Sequence, residues 1–273
     1  LRAAARVITG CPRSTPTDPL MAEAGLVPTQ VRRGSLAVRM FGLARSLPLD
    51  DPLRAVAEAD PKRRLISTTG WRHLGRAALR SCGLQEVPVE ERLQVMLPPW
   101  QGSESVTFRL SLGSRTVRRD APDDYRREVA EEHLATLPDP ATSTWIWSDG
   151  SAEEGTNNGG GGALVLLSNG EHREVRVAAG SLCSSTRAEL YAIKAALEEV
   201  SGLTGDLAAG PVVLCADSQA ALTLLQGGAS TQTTPLGAAI WQLLLQIVAR
   251  GQDITMQWVP AHCGIRGNER ADE

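Results

Sequence analysis

The sequence has few aromatic residues, no paired cysteines and no long apolar run, and each absence excludes a class of protein. Aromatic residues account for 4% of the 273 positions. The five cysteines are odd in number and form no C-x-x-C pair, so neither a disulfide framework nor a zinc ribbon is indicated. No apolar run approaches the roughly 20 residues of a membrane span, and we expect no signal peptide. We therefore expect an intracellular protein outside membranes, and a nuclear location is compatible with this.

Positive charge is scarce in the C-terminal half. Residues 141–273 hold 7 Lys and Arg against 14 Asp and Glu, a net charge of −7. Residues 1–140 hold 21 against 17, a net charge of +4. The N-terminal part is the better candidate for contacting phosphates without sequence preference, because such contacts depend on basic side chains. The acidic part would need cations to tolerate a polyanion.

The N-terminal region, residues 1–140, is predicted to be a mainly helical connector. Apolar residues recur at roughly helical spacing over residues 28–48. Four arginines decorate this helix: Arg32, Arg33, Arg39 and Arg45. They indicate either a solvated charged face or a surface that contacts nucleic acid, and the sequence leaves both open. Pro138-Asp139-Pro140 then breaks the chain, so we place a domain boundary between residues 140 and 141.

Residues 141–273 predict a mixed α/β domain. Five short apolar segments are typical of strands: 145–147, 163–167, 173–179, 211–216 and 254–259. The Asn169-Gly170 turn predicts that the second and third strands form a hairpin, whereas helices separate the later strands. Ser185 and Thr234 are predicted to cap two of those helices. The sequence therefore predicts a five-stranded mixed sheet with helices on its faces.

Four acidic residues stand where they can reach one rim of this sheet. Asp149 follows the first strand and Asp217 the fourth. Glu189 lies in the opening turns of the first helix, and Asp272 lies on the terminal helix. Carboxylates packed together at neutral pH would repel one another, and some would have to take up protons. Because carboxylate oxygens suit Mg²⁺ or Mn²⁺, we expect two such ions, about 4 Å apart, arranged for in-line displacement at phosphorus.

The segments around these acids resemble the motifs of the ribonuclease H domain. They are Ser148-Asp149-Gly150-Ser151, Thr186-Arg187-Ala188-Glu189-Leu190, Ala216-Asp217-Ser218-Gln219, and Val259-Pro260-Ala261-His262 through Gly267-Asn268-Glu269-Arg270-Ala271-Asp272. The resemblance covers residues 142–273, and the motif sequences are closest to those in non-LTR retrotransposon polyproteins. Residues 1–10 are similar, more loosely, to the segment after the reverse transcriptase palm of such elements.

The resemblance implies a ribonuclease H-like fold and metal-dependent endonucleolytic cleavage of the RNA strand of RNA–DNA hybrids during retrotransposon reverse transcription. It implies that Asp149 bridges both metal ions. Glu189 and Asp217 would complete one metal site, and Asp272 the other. The implied partners are the hybrid and the upstream reverse transcriptase of the same polyprotein, with the chain itself a monomer.

The resemblance also assigns roles to residues that are not metal ligands. His262 would act in catalysis by assisting water positioning or product release. Asn268 would brace the terminal helix and its loop. The residues expected to bind substrate, partly through the 2′-hydroxyls of RNA, are Gly150, Ser151, Ser184, Ser185, Thr186 and Gln219.

The chain departs from the family pattern in three respects. Residues 226–235 contain no Lys or Arg, whereas some cellular members carry a basic protrusion there. Only Glu273 follows Asp272, so we expect a longer parent protein, a truncated last helix and fraying of residues 268–273. No reverse transcriptase signature is present, because the Asp-Asp pairs at 50–51 and 123–124 lie beside prolines in polar stretches.

Two other interpretations stay open. The first is an inactive remnant or a hybrid-binding module of a degenerate retroelement, against which the retention of all four acids argues. The second is a relative with the same fold, such as a DNA transposase or an exonuclease. The segment 184–186 and the His262 loop argue against that interpretation.

Overall fold

The computed structural model describes residues 1–60, 70–100, 103–115, 117–118 and 120–273. They form two compact units, Leu1–Arg92 and Leu93–Glu273. Within these described stretches, no helix combines the length and the apolar sequence that crossing a membrane requires.

The N-terminal unit is helical where it is described. Its helices are α1 (Arg2–Thr9), α2 (Thr17–Glu23), α3 (Thr29–Arg45), α4 (Pro52–Glu58) and α5 (Trp71–Ser81). Helices α3 and α5 pack closely, because Gly75 leaves room for the Phe41 side chain that any Cβ at position 75 would overlap. The Phe41 ring also contacts Trp71, with ring centroids 6.2 Å apart. The expected helical N-terminal region is therefore present.

The C-terminal unit is built around one mixed sheet. Its elements are β1 (Val106–Arg109), α6 (Asp123–Leu134), β2 (Thr144–Glu153), β3 (Asn157–Leu166), β4 (His172–Leu182), α7 (Ser185–Ser201), β5 (Val212–Ala216), α8 (Gln219–Gln226), α9 (Pro235–Val248), β6 (Ile254–Trp258) and α10 (Arg266–Asp272). The strand order is β1-β6-β5-β2-β3-β4. Strands β2, β3 and β4 are antiparallel neighbours, whereas β5, β6 and β1 run parallel to β2. The α/β fold with a mixed sheet and flanking helices is confirmed.

The sheet has six described strands, where the sequence predicted five. The additional strand, β1, pairs in parallel with β6, and Val106 lies opposite Ile254. Its Phe108 ring packs 6.1 Å from the ring of Trp241 on α9. Both β1 and α6 belong to the same compact unit as residues 141–273. The assignment of residues 1–140 and 141–273 to separate domains stays a prediction.

Helices cover both faces of the sheet, because successive strand residues point to opposite faces. On one face, side chains such as Ile146 and Leu214 pack against α7 and α9, with Leu197 and Leu244 fully buried. On the other face, a second cluster joins strand residues to α6 and α10. Its members include Trp145, Trp147, Val213, Val129 and Ala271.

Two local details differ from the sequence predictions, and a third, the fraying of the last residues, is not tested by the structure. Asp149 lies inside β2 rather than after it, because the glycine-rich start of β3 continues the pairing and sets Gly162 opposite Asp149. Ser184, not Ser185, caps α7, and its hydroxyl accepts a hydrogen bond from the backbone N–H of Arg187. The segment expected to fray is helical up to Asp272. How often this helix opens stays a prediction.

Candidate active site

The first acid, Asp149, is delivered by the strand at the centre of the site. Strand β2 pairs with β5 until Ser148 meets Ala216, so the next residues are Asp149, still within β2, and Asp217, directly after the end of β5. The alternation of β2 places Asp149 on the same face as Trp147, and only 9% of Asp149 is exposed. This carboxylate therefore sits at the edge of a buried apolar layer.

The second acid, Glu189, comes from the start of α7. Gly150 makes this approach feasible, because any Cβ at position 150 would overlap the backbone of Ala188 and Glu189. The cap at Ser184 fixes where the helix begins. Glu189 is 6% exposed, and its Oε2 is buried without a hydrogen-bond partner in the described structure.

The third acid, Asp217, follows β5 directly and is held on two sides. The indole N–H of Trp258 donates to the backbone carbonyl of Asp217 at 2.9 Å. The Asn268 side-chain amide donates to Asp217 Oδ2 at 3.4 Å. Asp149, Glu189 and Asp217 each offer a carboxylate oxygen, and these oxygens all lie within 4.8 Å of one another.

The proximity of the acids changes their protonation. Burial raises the pKa of Asp149 to about 7, and the nearby Asp217 and Asp272 carboxylates add to the effect. Burial raises the pKa of Glu189 to about 10, again with help from the charges of Asp217 and Asp149. Burial also raises the pKa of Asp217, although the hydrogen bond from Asn268 acts in the opposite direction. Without a counter-charge, the group therefore holds protons near neutral pH.

The three acids fit a divalent metal ion. A cation would replace those protons. It would also bind Glu189 Oε2, which is buried and accepts no hydrogen bond from the described part of the protein. Hard carboxylate oxygens are the ligands that Mg²⁺ and Mn²⁺ take in proteins. The donor set is thus consistent with a divalent metal site.

Asp272 and His262 lie at the border of the site. Asp272 is close enough to raise the pKa of Asp149, yet it is not one of the three acids whose oxygens lie within 4.8 Å. Its side chain is 43% exposed, and Asp272 Oδ2 lies 3.9 Å from Nδ1 of His262. The His262 side chain is 74% exposed, and its backbone φ is +46°. The structure therefore brings His262 together with Asp272 and leaves both open to solvent.

Comparison with known proteins identifies the family. The family model described as RNase H matches residues 141–273. A protein named Ribonuclease H from Bordetella avium (strain 197N) is 30% identical over an alignment of 149 residues, and the match covers 51% of this chain and 92% of the relative. The chain belongs to the ribonuclease H family. A Ribonuclease H from Syntrophus aciditrophicus (strain SB) is also 30% identical, over an alignment of 145 residues, and the match covers 49% of this chain and 79% of the relative.

This membership makes the chain a ribonuclease H-type enzyme, and three of the predicted acids, Asp149, Glu189 and Asp217, lie together in its structure. The residues predicted to bind substrate lie in β2 or at the start of α7 and α8, close in sequence to these acids. Ser151, Ser184, Ser185 and Gln219 are exposed, Thr186 is half-buried and Gly150 is buried against α7. The amide Nε2 of Gln219 donates to the Leu110 carbonyl at 3.0 Å. The roles of all these residues stay predictions.

Several residues of this ribonuclease H-type site were not predicted from the sequence. Trp258 fixes the backbone of Asp217, and no motif in the sequence identified it. Gly267 lies against the ring of Trp147, which a Cβ at position 267 would overlap, and so lets α10 approach the sheet. The apolar strand pattern around Trp147 could have predicted that this side chain packs against another element. The contact of Leu110 with Gln219 joins distant parts of the sequence, so no local pattern predicts it.

Proposed function

We propose that this chain hydrolyses the RNA strand of RNA–DNA hybrids at internal positions, with the help of bound divalent metal ions. The observation that carries the proposal is the group formed by Asp149, Glu189 and Asp217, in a chain of the ribonuclease H family. Three separate elements each deliver one acid, and burial makes the group unfavourable for the fold unless protons or cations neutralise it. Such an arrangement is typical of function rather than of stability.

The metal ligands follow from the positions of the acids. Asp149, Glu189 and Asp217 would hold one Mg²⁺ ion, and Asp149 with Asp272 would hold a second, with Mn²⁺ as a substitute. When bound, the ions supply a water activated for attack and positive charge at the leaving oxygen. The more exposed position of Asp272 makes the second of these sites the weaker one.

The chain's own residues would orient the hybrid and handle protons. Hydroxyls of Ser151, Ser184 and Ser185 are exposed near the acids and would contact the hybrid beside Gly150 and Thr186. Because Gln219 Nε2 is committed to Leu110, its Oε1 is left to accept a hydrogen bond from a ribose 2′-hydroxyl. The exposed imidazole of His262, next to Asp272, would position water or accept a proton during product release.

The test is cleavage of a hybrid carrying a label on its RNA strand, with Mg²⁺ or Mn²⁺ and with EDTA. Single-stranded RNA, RNA duplex and DNA duplex serve as substrate controls, and Asp149→Asn serves as the protein control. Metal-dependent cuts within the RNA of the hybrid, absent from the variant, are the expected result. Equal cleavage of single-stranded RNA or of DNA would contradict the proposal. Binding without cleavage would favour the non-catalytic hybrid-binding module, which the position of Asp272 outside the group of three makes worth testing.

We further propose that the chain acts in reverse transcription of a non-LTR retrotransposon, downstream of a reverse transcriptase in one polyprotein. The motif sequences around Asp149 and Asp272, and the loose similarity of residues 1–10 to the segment that follows the reverse transcriptase palm of such elements, support this. The test is the reading frame upstream of Leu1 in genomic DNA. A reverse transcriptase palm in the same frame is expected, and an unrelated frame would overturn the proposal.

A further inference from the structure

The region before the family-matched residues reaches the active-site side of the C-terminal unit. The match begins at residue 141, whereas α6 (Asp123–Leu134) lies before it and packs in the same apolar cluster as α10. One side chain of α6, Arg126, contacts the loop that carries His262. Its Nη1 donates to the backbone carbonyl of Ala261 at 3.1 Å, a bond that joins residues 135 positions apart.

Arg126 is itself held in place. Its Nη2 donates to Asp123 Oδ1 at 2.6 Å, one helical turn away. The Arg126 side chain is 14% exposed, whereas Asp123 is 68% exposed. A guanidinium that is largely buried, and fixed by a carboxylate on one side, presents its other nitrogen to Ala261 in a defined direction.

The contacted carbonyl precedes a residue with an unfavourable backbone. His262 has a φ of +46°, in the left-handed region that residues other than glycine adopt uncommonly, although histidine is found there more often than most. The far side of the loop is fixed by a hydrogen bond from the Gly264 N–H to Glu269 Oε1 at 3.1 Å. On the near side, the described contact that fixes the Ala261 carbonyl is the one from Arg126.

We propose that Arg126 is a positioning residue, which holds the His262 loop in the conformation that places the imidazole beside Asp272. This rests on the proposed function only where activity is measured, because the conformation of the loop can be observed independently. Without the Arg126 contact, the peptide between Ala261 and His262 is free to rotate out of the left-handed region. The imidazole then leaves its position 3.9 Å from Asp272.

The first test is kinetic and uses the full chain. Arg126→Met keeps most of the aliphatic stem but removes the charge and the donors. We expect its kcat to fall roughly tenfold to a hundredfold, with KM changed by less than about twofold, because a misplaced group affects the reacting state more than substrate binding. The matched control is Arg115→Ala, which also removes one arginine charge. Arg115 lies outside α6, and its exposed side chain pairs with Glu132 of α6 at 2.8 Å. Its kcat should stay at the wild-type level.

A double variant separates positioning from a general structural role. If Arg126 acts through His262, adding Arg126→Met to His262→Ala should change kcat by less than about twofold. Arg126→Lys, which retains a cationic donor, should recover part of the activity in the wild-type background. A full additional loss in the His262→Ala background, or no recovery with lysine, would overturn the proposal.

The second test does not need activity. Hydrogen exchange of wild type and Arg126→Met is compared by mass spectrometry, with Arg126→Leu, which also lacks the donors, as the substitute if the methionine variant does not fold. Faster exchange confined to a peptide covering residues 261–268, with β5 unchanged, is the expected result. Unchanged exchange in that peptide would overturn the positioning role. If wild type cleaves no hybrid, the proposed function fails while this measurement still decides the role of Arg126.

Discussion

Asp149→Asn should abolish cleavage and yet stabilise the metal-free protein. The carboxylate of Asp149 is buried beside two other acids, and burial raises its pKa from 3.8 to about 7. Asparagine has nearly the same shape and carries no charge. The substitution therefore removes a ligand that the metal needs and, in the absence of metal, removes electrostatic repulsion that the fold tolerates.

The size of the effect follows from the difference in pKa between the two states. Because the folded-state pKa is the higher one, the unfolded chain loses its proton more readily, and at pH 7 this favours unfolding by at most about 4 kcal/mol. The buried amide of asparagine keeps part of the desolvation cost, so we expect a gain of about 1 to 2 kcal/mol. For a domain of this size that corresponds to a rise in Tm of roughly 3 to 6 °C.

The pH dependence gives the decisive assay. Below the unfolded-state pKa of 3.8, Asp149 is protonated in both states, so variant and wild type should melt alike. The advantage of the variant should grow as pH rises from about 4 to about 7 and should then level off. Melting curves are recorded in EDTA across this range, beside Asp206→Asn, an exposed aspartate with the same charge change.

Saturating Mg²⁺ should reverse the order, because the metal binds the folded wild type more tightly and stabilises it. A clear fall in the Tm of Asp149→Asn at pH 7 without metal would refute the reasoning and assign Asp149 a structural role. A difference in Tm that does not vary with pH would show that repulsion and burial of the charge are not its cause.

Three further predictions concern the same site. Glu189→Gln should also raise the Tm of the metal-free protein, but its advantage should keep growing above pH 7, because the folded-state pKa of Glu189 is about 10; a plateau at pH 7 would contradict this. The rise in Tm that Mg²⁺ produces should be larger at pH 8 than at pH 6, because the metal must displace a proton from Asp149 at the lower pH. Equal rises in Mg²⁺ titrations at the two pH values would be evidence against metal binding at these acids. Gly267→Ala should lower the free energy of unfolding in urea by about 1 to 3 kcal/mol and weaken Mg²⁺ binding, because the added Cβ overlaps Trp147 and displaces α10. A wild-type free energy of unfolding together with wild-type Mg²⁺ affinity would show that α10 need not approach the sheet so closely.

The sequence determined most of the fold and the identity of the central acids. Short apolar segments with turn signals between them are local patterns, so the hairpin at Asn169-Gly170 and the buried strand β5 could be predicted without any knowledge of contacts. The position of Asp217 directly after that strand was predicted in the same way, because a strand end is a local feature. The common rim for Asp149 and Asp217 then followed from the expected sheet topology.

Tertiary structure alone decided the features that depend on pairing between distant segments. The sequence of residues 106–117 allowed one or two strands, but it gave no partner, and only the pairing with β6 makes Val106–Arg109 the sixth strand of this sheet. Asp149 lies inside β2 because the glycines of β3, which have little strand propensity, pair opposite it. The contact of Arg126 with Ala261 joins two segments that are polar and unremarkable when considered separately.

The sequence likewise could not predict how far the pKa values of the acids are raised. Repulsion among four carboxylates could be anticipated, but the pKa values of Asp149 and Glu189 are raised chiefly by burial. Burial depends on how closely α7 and α10 approach the sheet, and Gly150 and Gly267 permit that approach. The sequence shows which residues carry carboxyl groups. The free-energy cost of ionising those groups depends on how far the folded chain excludes water from around them.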